Sequence, residues 1–270
     1  MNEFFKSWLP PVLLNAVRRR FLFRRFDTME QAAAANKDGG YEAVDLVKVV
    51  VAKNLALRSN LHSIEFADRG ALRTVVGVGL CNPGSLLRVL DFGGGAGFHY
   101  TVARAYFDKD TNFQWNVVET PALVREADKM CNSELRFFGD IESAKADLGS
   151  VDLVFTSGAL QFCEQPLSAL ETLLSIRAKH LFIARTPLLD EDRDLVFMQK
   201  SFLSDNGPGP LPQGFKNRPV FYPNVYVSRS KVEKLISAAY DIKMKFQDDV
   251  SSEILGSKNA RLYGYFCSLK

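Results

Sequence analysis

Histidine is scarce, with three in 270 residues: His62, His99 and His180. Cysteine is nearly as scarce. Cys81, Cys131, Cys163 and Cys267 lie far apart, and none falls in a CxxC or Cys/His spacing. That excludes a zinc module and a disulfide framework, and reduced, buried thiols in a cytoplasmic protein fit best. A strong charge of one sign is missing too. Thirty-four basic against 31 acidic residues leave +3, which gives no reason to expect a nucleic-acid partner. No apolar run is long enough to span a bilayer. With 47% hydrophobic and 24% charged residues, the composition excludes wholesale disorder, collagen and a multi-span membrane protein. The length allows one or two domains.

What is present begins unevenly. Residues 1–26, MNEFFKSWLPPVLLNAVRRRFLFRRF, are rich in aromatics and arginine. The arginines follow the apolar run, the reverse of a secretory signal. Two readings stay open. The arm packs on its own domain, or Phe4, Phe5, Trp8 and the arginines hold it weakly at the inner face of an anionic membrane. We divide the chain into this arm, 1–37, and a domain over 38–270 that opens with a helical cap at 38–84. In the cap, Val44, Val47, Val51 and Leu55 recur at helical spacing, and a second helix is expected over 64–76.

Beyond residue 84 the pattern changes to short apolar runs separated by helices. Strands are expected at 88–92, 115–119, 135–138, 152–156 and 181–184, with helices at 100–107, 121–130 and 166–178. Such alternation predicts a parallel sheet of five strands with helices on both faces. The runs 241–246 and 262–268 have no helix between them and should close the sheet as an antiparallel hairpin. An insertion, 186–227, departs from this scheme. Residues 190–203 read as a helix, and 205–223, with five prolines and three glycines, read as a long irregular loop. A loop of that length at a strand's carboxyl edge is more often functional than idle. We expect it to order over an acceptor, with Tyr222 and Tyr226 as candidate stacking residues.

The strongest local signal is Val89-Leu90-Asp91-Phe92-Gly93-Gly94-Gly95-Ala96-Gly97. An apolar strand ends in a carboxylate, runs into glycines and is followed by a helix. Such a turn lets a ligand approach the backbone at the carboxyl end of the first parallel strand. The dinucleotide fingerprint needs a sixth-position glycine, where this chain has Phe98, and no Gly-Lys-Ser/Thr marks a phosphate loop. The second strand ends in Glu119, placed to accept hydrogen bonds from both hydroxyls of a ribose. An acidic helix cap before Pro121 is the alternative.

The spacing Asp-x-Gly-x-Gly-x-Gly resembles the first motif of class I S-adenosyl-L-methionine-dependent methyltransferases. In order, Asp-Phe-Gly-Gly-Gly-x-Gly-x-x-Tyr (91–100), Val-Val-Glu-Thr-Pro (117–121), Ser-Gly-Ala-Leu-Gln-Phe (157–162), Gln165-Pro166 and Arg185-Thr186-Pro187 narrow the likeness. Together they resemble a methyltransferase family often encoded among bacterial surface-polysaccharide genes, over about residue 40 to the C-terminus. The resemblance implies a Rossmann-like fold and S-adenosyl-L-methionine as cofactor. It would be held by Asp91, Gly93, Gly94, Gly95, Gly97, Tyr100, Glu119, Asp140, Ile141 and Ser157. In that family the acid matching Asp140 meets the adenine amine and the following residue packs on the ring; a plain turn aspartate is the alternative.

Methyl transfer to a hydroxyl also calls for a general base. His180 precedes the fifth strand, at the wrong end of the sheet, and nothing fixes His62 near the site. His99, directly after the glycine loop, is the remaining candidate, set against a helix residue that points away. Arg185 suits an acidic group on the acceptor or a structural ion pair. The leading expectation is O-methylation of a sugar in a surface glycan or its precursor. Methylation of another small molecule or of a protein is the first rival. A non-catalytic cofactor-binding partner in glycan assembly is the second.

Overall fold

Phe23–Phe26 forms a short strand, β1, and helix α1, Met29–Ala35, follows it. The computed structural model describes residues 23–37, 39–60, 69–82, 84–107, 110–248 and 257–270. Most of the N-terminal arm, His62 and the start of the helix expected at 64–76 therefore lie outside the described residues. Helices α2, Val44–Ser59, and α3, Arg69–Gly79, make up the cap.

The alternating region then runs β2 Leu86–Phe92, α4 Phe98–Tyr106, β3 Asn112–Val118, α5 Pro121–Ala127, β4 Leu135–Phe138 and α6 Ile141–Leu148. It continues through β5 Leu153–Ser157, α7 Pro166–Ser175 and β6 His180–Leu189. After β7 Leu195–Phe202 and β8 Pro219–Ser228 come α8 Arg229–Ala239, β9 Tyr240–Asp248 and β10 Ala260–Leu269.

Five strands pair in parallel in the order β4-β3-β2-β5-β6. β10 adds antiparallel to β6, and β9 antiparallel to β10, so the expected hairpin closes the sheet. This is the parallel sheet that the alternating pattern predicted, in the Rossmann-like fold that the resemblance implied. Successive side chains feed opposite faces. Val89, Trp115, Leu153, Phe155 and Phe182 pack with α2, α4 and α5, while Leu90, Val154, Leu181 and Ile183 pack with α6, α7 and α8. Strands buried on both faces read as continuous apolar runs, which is why β5 stood out so plainly in the sequence.

The insertion differs from expectation. Residues 195–202 are a strand and not part of a helix, and residues 219–228 are a second strand pairing antiparallel with it. β1 adds antiparallel to the other edge of β7, with Phe26 opposite Val196. The physical reason lies in the partners. Leu195, Val196, Phe197 and Met198 are all buried, which one helical face could not achieve, and β8 supplies the hydrogen-bonding edge that a helix would not need. The extension grows directly from the main sheet, because β6 runs on past residue 184 and pairs Leu188 with Val227 and Leu189 with Ser228.

The loop between β7 and β8 is tied to the cap. Lys53 is buried on α2 and donates through Nζ to the Ser204 carbonyl at 2.7 Å. Desolvation lowers its pKa below the usual lysine value. Asp45 receives both Nε and a terminal nitrogen of Arg218 at 2.6 Å each.

Candidate cofactor and acceptor site

The strand order reverses between β2 and β5, since β3 and β4 lie to one side and β6 to the other. In open α/β sheets ligands bind at such a switch point, outside the carboxyl ends of the strands. A cavity of about 650 Å³ opens there. The loop after β2, the end of β3, the loop after β5, the turn at 39–41 and β8 line it.

The glycine loop forms the wall on the β2 side. Gly93 has φ +72°, and a side chain built there would place its Cβ 2.2 Å from the Cβ of Ala159. Gly94 faces inward, where a Cβ would fall 2.3 Å from Oδ2 of Asp91. Gly95 has φ +60°, and Gly97, at φ +80°, is the N-cap of α4. Gly93→Ala should therefore combine backbone strain of about 1 kcal/mol with overpacking of about 1–3 kcal/mol. Thermal unfolding should show a midpoint lowered by roughly 5–10 °C. An unchanged midpoint would mean that the loop carrying Ala159 gives way.

Glu119 lines the cavity at the end of β3. Its Oε1 accepts the Gly95 N–H at 2.9 Å and its Oε2 the Thr120 N–H at 3.0 Å. Enclosure raises the carboxyl above its ordinary value, and the two N–H donors oppose that rise. Each oxygen keeps further accepting capacity. Beside it, Thr120 Oγ1 is buried without a hydrogen-bond partner among the described residues. Two accepting oxygens, an unpartnered hydroxyl and a backbone cradle without side chains suit a nucleoside whose ribose faces Glu119.

Other expected residues lie elsewhere. Asp91 is completely buried and does not face the cavity. Its carboxylate accepts Trp115 Nε1–H at 3.0 Å and lies 2.9 Å from Nδ1 of His99. A carboxylate only accepts, so Nδ1 carries the proton. His99 is itself buried, with its ring 4.6 Å from that of Phe155, so it holds Asp91 beneath the glycine loop and presents no base to an acceptor. Tyr100 donates its hydroxyl to Glu134 at 2.8 Å, on the far side of α4.

Asp140 caps α6, accepting the Ser143 N–H at 2.7 Å and the Ser143 hydroxyl at 2.8 Å. These bonds hold its carboxyl below the usual range. Its neighbour Gly139 lines the cavity, while Ile141 packs against the core and Ser157 ends β5 just before the lining residue Gly158. Tyr226 is enclosed against Phe197, its ring 4.8 Å away, and does not reach the cavity.

Tyr222 does reach it, in company the sequence did not reveal. Its ring stacks on Tyr41 at 4.6 Å and 23°, and Phe162 meets both rings edge-on, at 4.7 Å from Tyr41 and 5.3 Å from Tyr222. Burial first, and each other's proximity second, push the Tyr41 hydroxyl well up. Cys163 also lines the cavity, and burial, with a lesser push from Glu119, raises its thiol to about 11. Phe162 stood in the motif quoted above. Tyr41 carried no signal beyond following the Gly39-Gly40 break.

Arg185 is not at a strand end, because β6 continues to Leu189. It has φ +53°, inside a β-bulge where the pairing with β10 shifts between Tyr263 and Tyr265. A non-glycine residue there costs on the order of 1–3 kcal/mol and persists only where the surroundings impose it. The bend sets the arginine side chain beside Gly158, whose added Cβ would lie 3.6 Å from the guanidinium carbon.

No family model matches the chain, and no curated protein matches it. Solved structures do. An S-adenosylmethionine-dependent methyltransferase from Clostridium acetobutylicum is 10% identical, with a TM-score of 0.47, over 80% of this chain and 96% of that one. The N-methyltransferase NodS of Bradyrhizobium japonicum, in complex with S-adenosyl-L-homocysteine, is 13% identical at a TM-score of 0.46, over 76% and 87%. The apo-form of mycolic acid cyclopropane synthase CmaA1 is 11% identical at 0.49, over 83% and 99%. Among the described residues no group of side chains could hold a metal ion, and no helix is long and apolar enough to cross a membrane.

Proposed function

We propose that the chain is an S-adenosyl-L-methionine-dependent methyltransferase. One observation carries this reading. Glu119 is held at the end of β3 by the N–H groups of Gly95 and Thr120, facing a loop whose Gly93 has no room for a side chain. The bound cofactor would supply a methyl group on a sulfonium, an activated leaving group already in place. The chain's own task is then alignment and exclusion of water. Glu119 accepts from the ribose hydroxyls, and Thr120 Oγ1 gains a partner. The glycine loop admits the ligand close to the backbone, while Tyr41, Phe162 and Tyr222 wall off the acceptor side. Asp91, His99 and Trp115 act from below by fixing the loop.

The acceptor we favour is a sugar of a surface glycan or its precursor. The order of the sequence motifs and the aromatic wall, a common surface for sugar rings, support it. A cytoplasmic place, with the arm touching the inner membrane face, would suit a lipid-linked precursor. Calorimetry should show saturable binding of S-adenosyl-L-homocysteine and no heat from NAD at the same concentration. The reverse result would sink the assignment.

A further inference from the structure

Among the described residues that line the cavity, one side chain is charged at neutral pH, and it is an acid, Glu119. The rings of Tyr41, Phe162 and Tyr222 line the same space. A carboxylate and aromatic faces both draw a cation. Arg185, beside Gly158, stands outside this lining, exposed and with a partner of its own. The state of the lining groups limits the chemistry further. Burial keeps the protons on Tyr41, Tyr222 and Cys163. The two tyrosine hydroxyls bond to each other, and Tyr222 bonds to Ser201 as well. Glu119 is engaged by two backbone N–H groups and, in the methyltransferase reading, by the ribose. His99 is engaged beneath the loop. None of these groups is placed to take a proton from an acceptor hydroxyl.

We propose that the acceptor is a ring-bearing primary amine, an amino sugar in the glycan reading, and that its nitrogen takes the methyl group. The inference rests on the methyltransferase reading and names the substrate class for that site. An amine brings its own lone pair. It leaves its extra proton with water on entering, so no side chain has to act as a base. The nitrogen lone pair forms the N–CH3 bond, and the S–CH3 bond breaks with its electron pair going to sulfur. The positive charge passes from sulfur to nitrogen, and the product leaves as a methylammonium that keeps both amine protons. One cation enters the step and one leaves it. A cavity with a carboxylate and aromatic walls therefore stabilises the charge at both ends and along the way. A neutral hydroxyl would instead become an oxonium and need a base. A carboxylate or phosphate would meet Glu119 as a like charge.

The test uses the full chain loaded with S-adenosyl-L-homocysteine and titrated with glucosamine and benzylamine, against glucose and benzyl alcohol as the matched hydroxyl compounds. The amines should bind saturably and about tenfold more tightly than the alcohols. Tyr222→Leu removes a ring and should reduce that preference about threefold or more. Tyr222→Phe keeps the ring and should keep the preference. Should Tyr222→Leu fail to fold, the ratio of amine to alcohol affinity in the parent and in Tyr222→Phe still decides. With a methyl-labelled donor, the label should appear on the nitrogen of glucosamine and leave glucose unlabelled. Equal binding of the alcohols, no binding of either amine, a folded Tyr222→Leu with the parent's preference, label on a sugar oxygen, or bound glucosamine that acquires no label would each overturn the proposal. Failure of S-adenosyl-L-homocysteine itself to bind would be a different result, because it removes the methyltransferase reading first and this inference with it.

Discussion

Glu119→Ala should weaken binding of S-adenosyl-L-homocysteine by roughly thirty- to a thousandfold while the protein stays folded. Hydrogen bonds from two ribose hydroxyls to a charged acceptor contribute about 1.5–3 kcal/mol each at most, and they replace good contacts with water. A net loss of about 2–4 kcal/mol follows, which converts to that range of affinity. Glu119→Gln should be milder, because its amide oxygen still accepts. The two variants also separate the charge from the shape of the site. Since enclosure raises the Glu119 carboxyl above its ordinary value, the folded apo protein holds its proton to higher pH than the unfolded chain does. This one group therefore adds stability on acidification, while the affinity for the ribose falls as the carboxylate is lost. Calorimetric titrations across the acid range should show affinity falling in the parent and a flatter profile in Glu119→Gln. Parent-like binding by Glu119→Ala would dismiss the ribose assignment, and unfolding would favour the helix-cap alternative.

Asp91→Ala should fail differently, by lost stability. The substitution leaves the His99 Nδ1–H and the Trp115 Nε1–H buried without an acceptor and opens space beneath Gly94. Removing one partner from a buried charged network costs about 3–5 kcal/mol. At about 2–4 °C per kcal/mol for a chain of this size, the midpoint should fall by roughly 10 °C. Asp91→Asn should lose less, since its oxygen can accept from Trp115 and its amide can donate to the other histidine tautomer. Were Asp91 a direct cofactor contact, Asp91→Ala would reduce affinity and leave the midpoint where it was.

These two acids show how far the sequence could be read. Both end apolar strands at the same edge of the sheet, and the resemblance set them side by side as cofactor residues. Strand parity does not separate them, because Asp91 pairs with Val117 and Glu119 lies two residues further on. Height does: Asp91 lies inside β2, under the loop, and Glu119 lies one residue past the end of β3, at the cavity. The five parallel strands were legible because burial on both faces writes apolar runs, and the hairpin because its two runs have no helix between them. The β7–β8 extension was not, since charged residues before Leu195 and prolines through the loop obscure strands that pair with each other, with β1 and with the end of β6. Tyr222 and Tyr226 show the limit again. They share a side of β8, yet lie about 13 Å apart along the strand, so one reaches the cavity and the other fills the core. Tyr41 was out of reach, because its role depends on a partner from the other end of the chain.

The continuity of β6 through both sheets bears on how such a protein diversifies. The strand that ends the row of five parallel strands also carries, past its kink at Arg185, the edge on which the β7–β8 extension is built. The extension is thus a graft on a shared stem and not a hinged appendage. Replacing residues 190–218 alters the β7–β8 extension while β2, β3 and β5 keep their register. A transplant must preserve three sutures: the pairing of 188–189 with 227–228, the Lys53 bond to the Ser204 carbonyl and the Asp45–Arg218 pair. Change within those bounds leaves the glycine-loop wall of the cavity as it is.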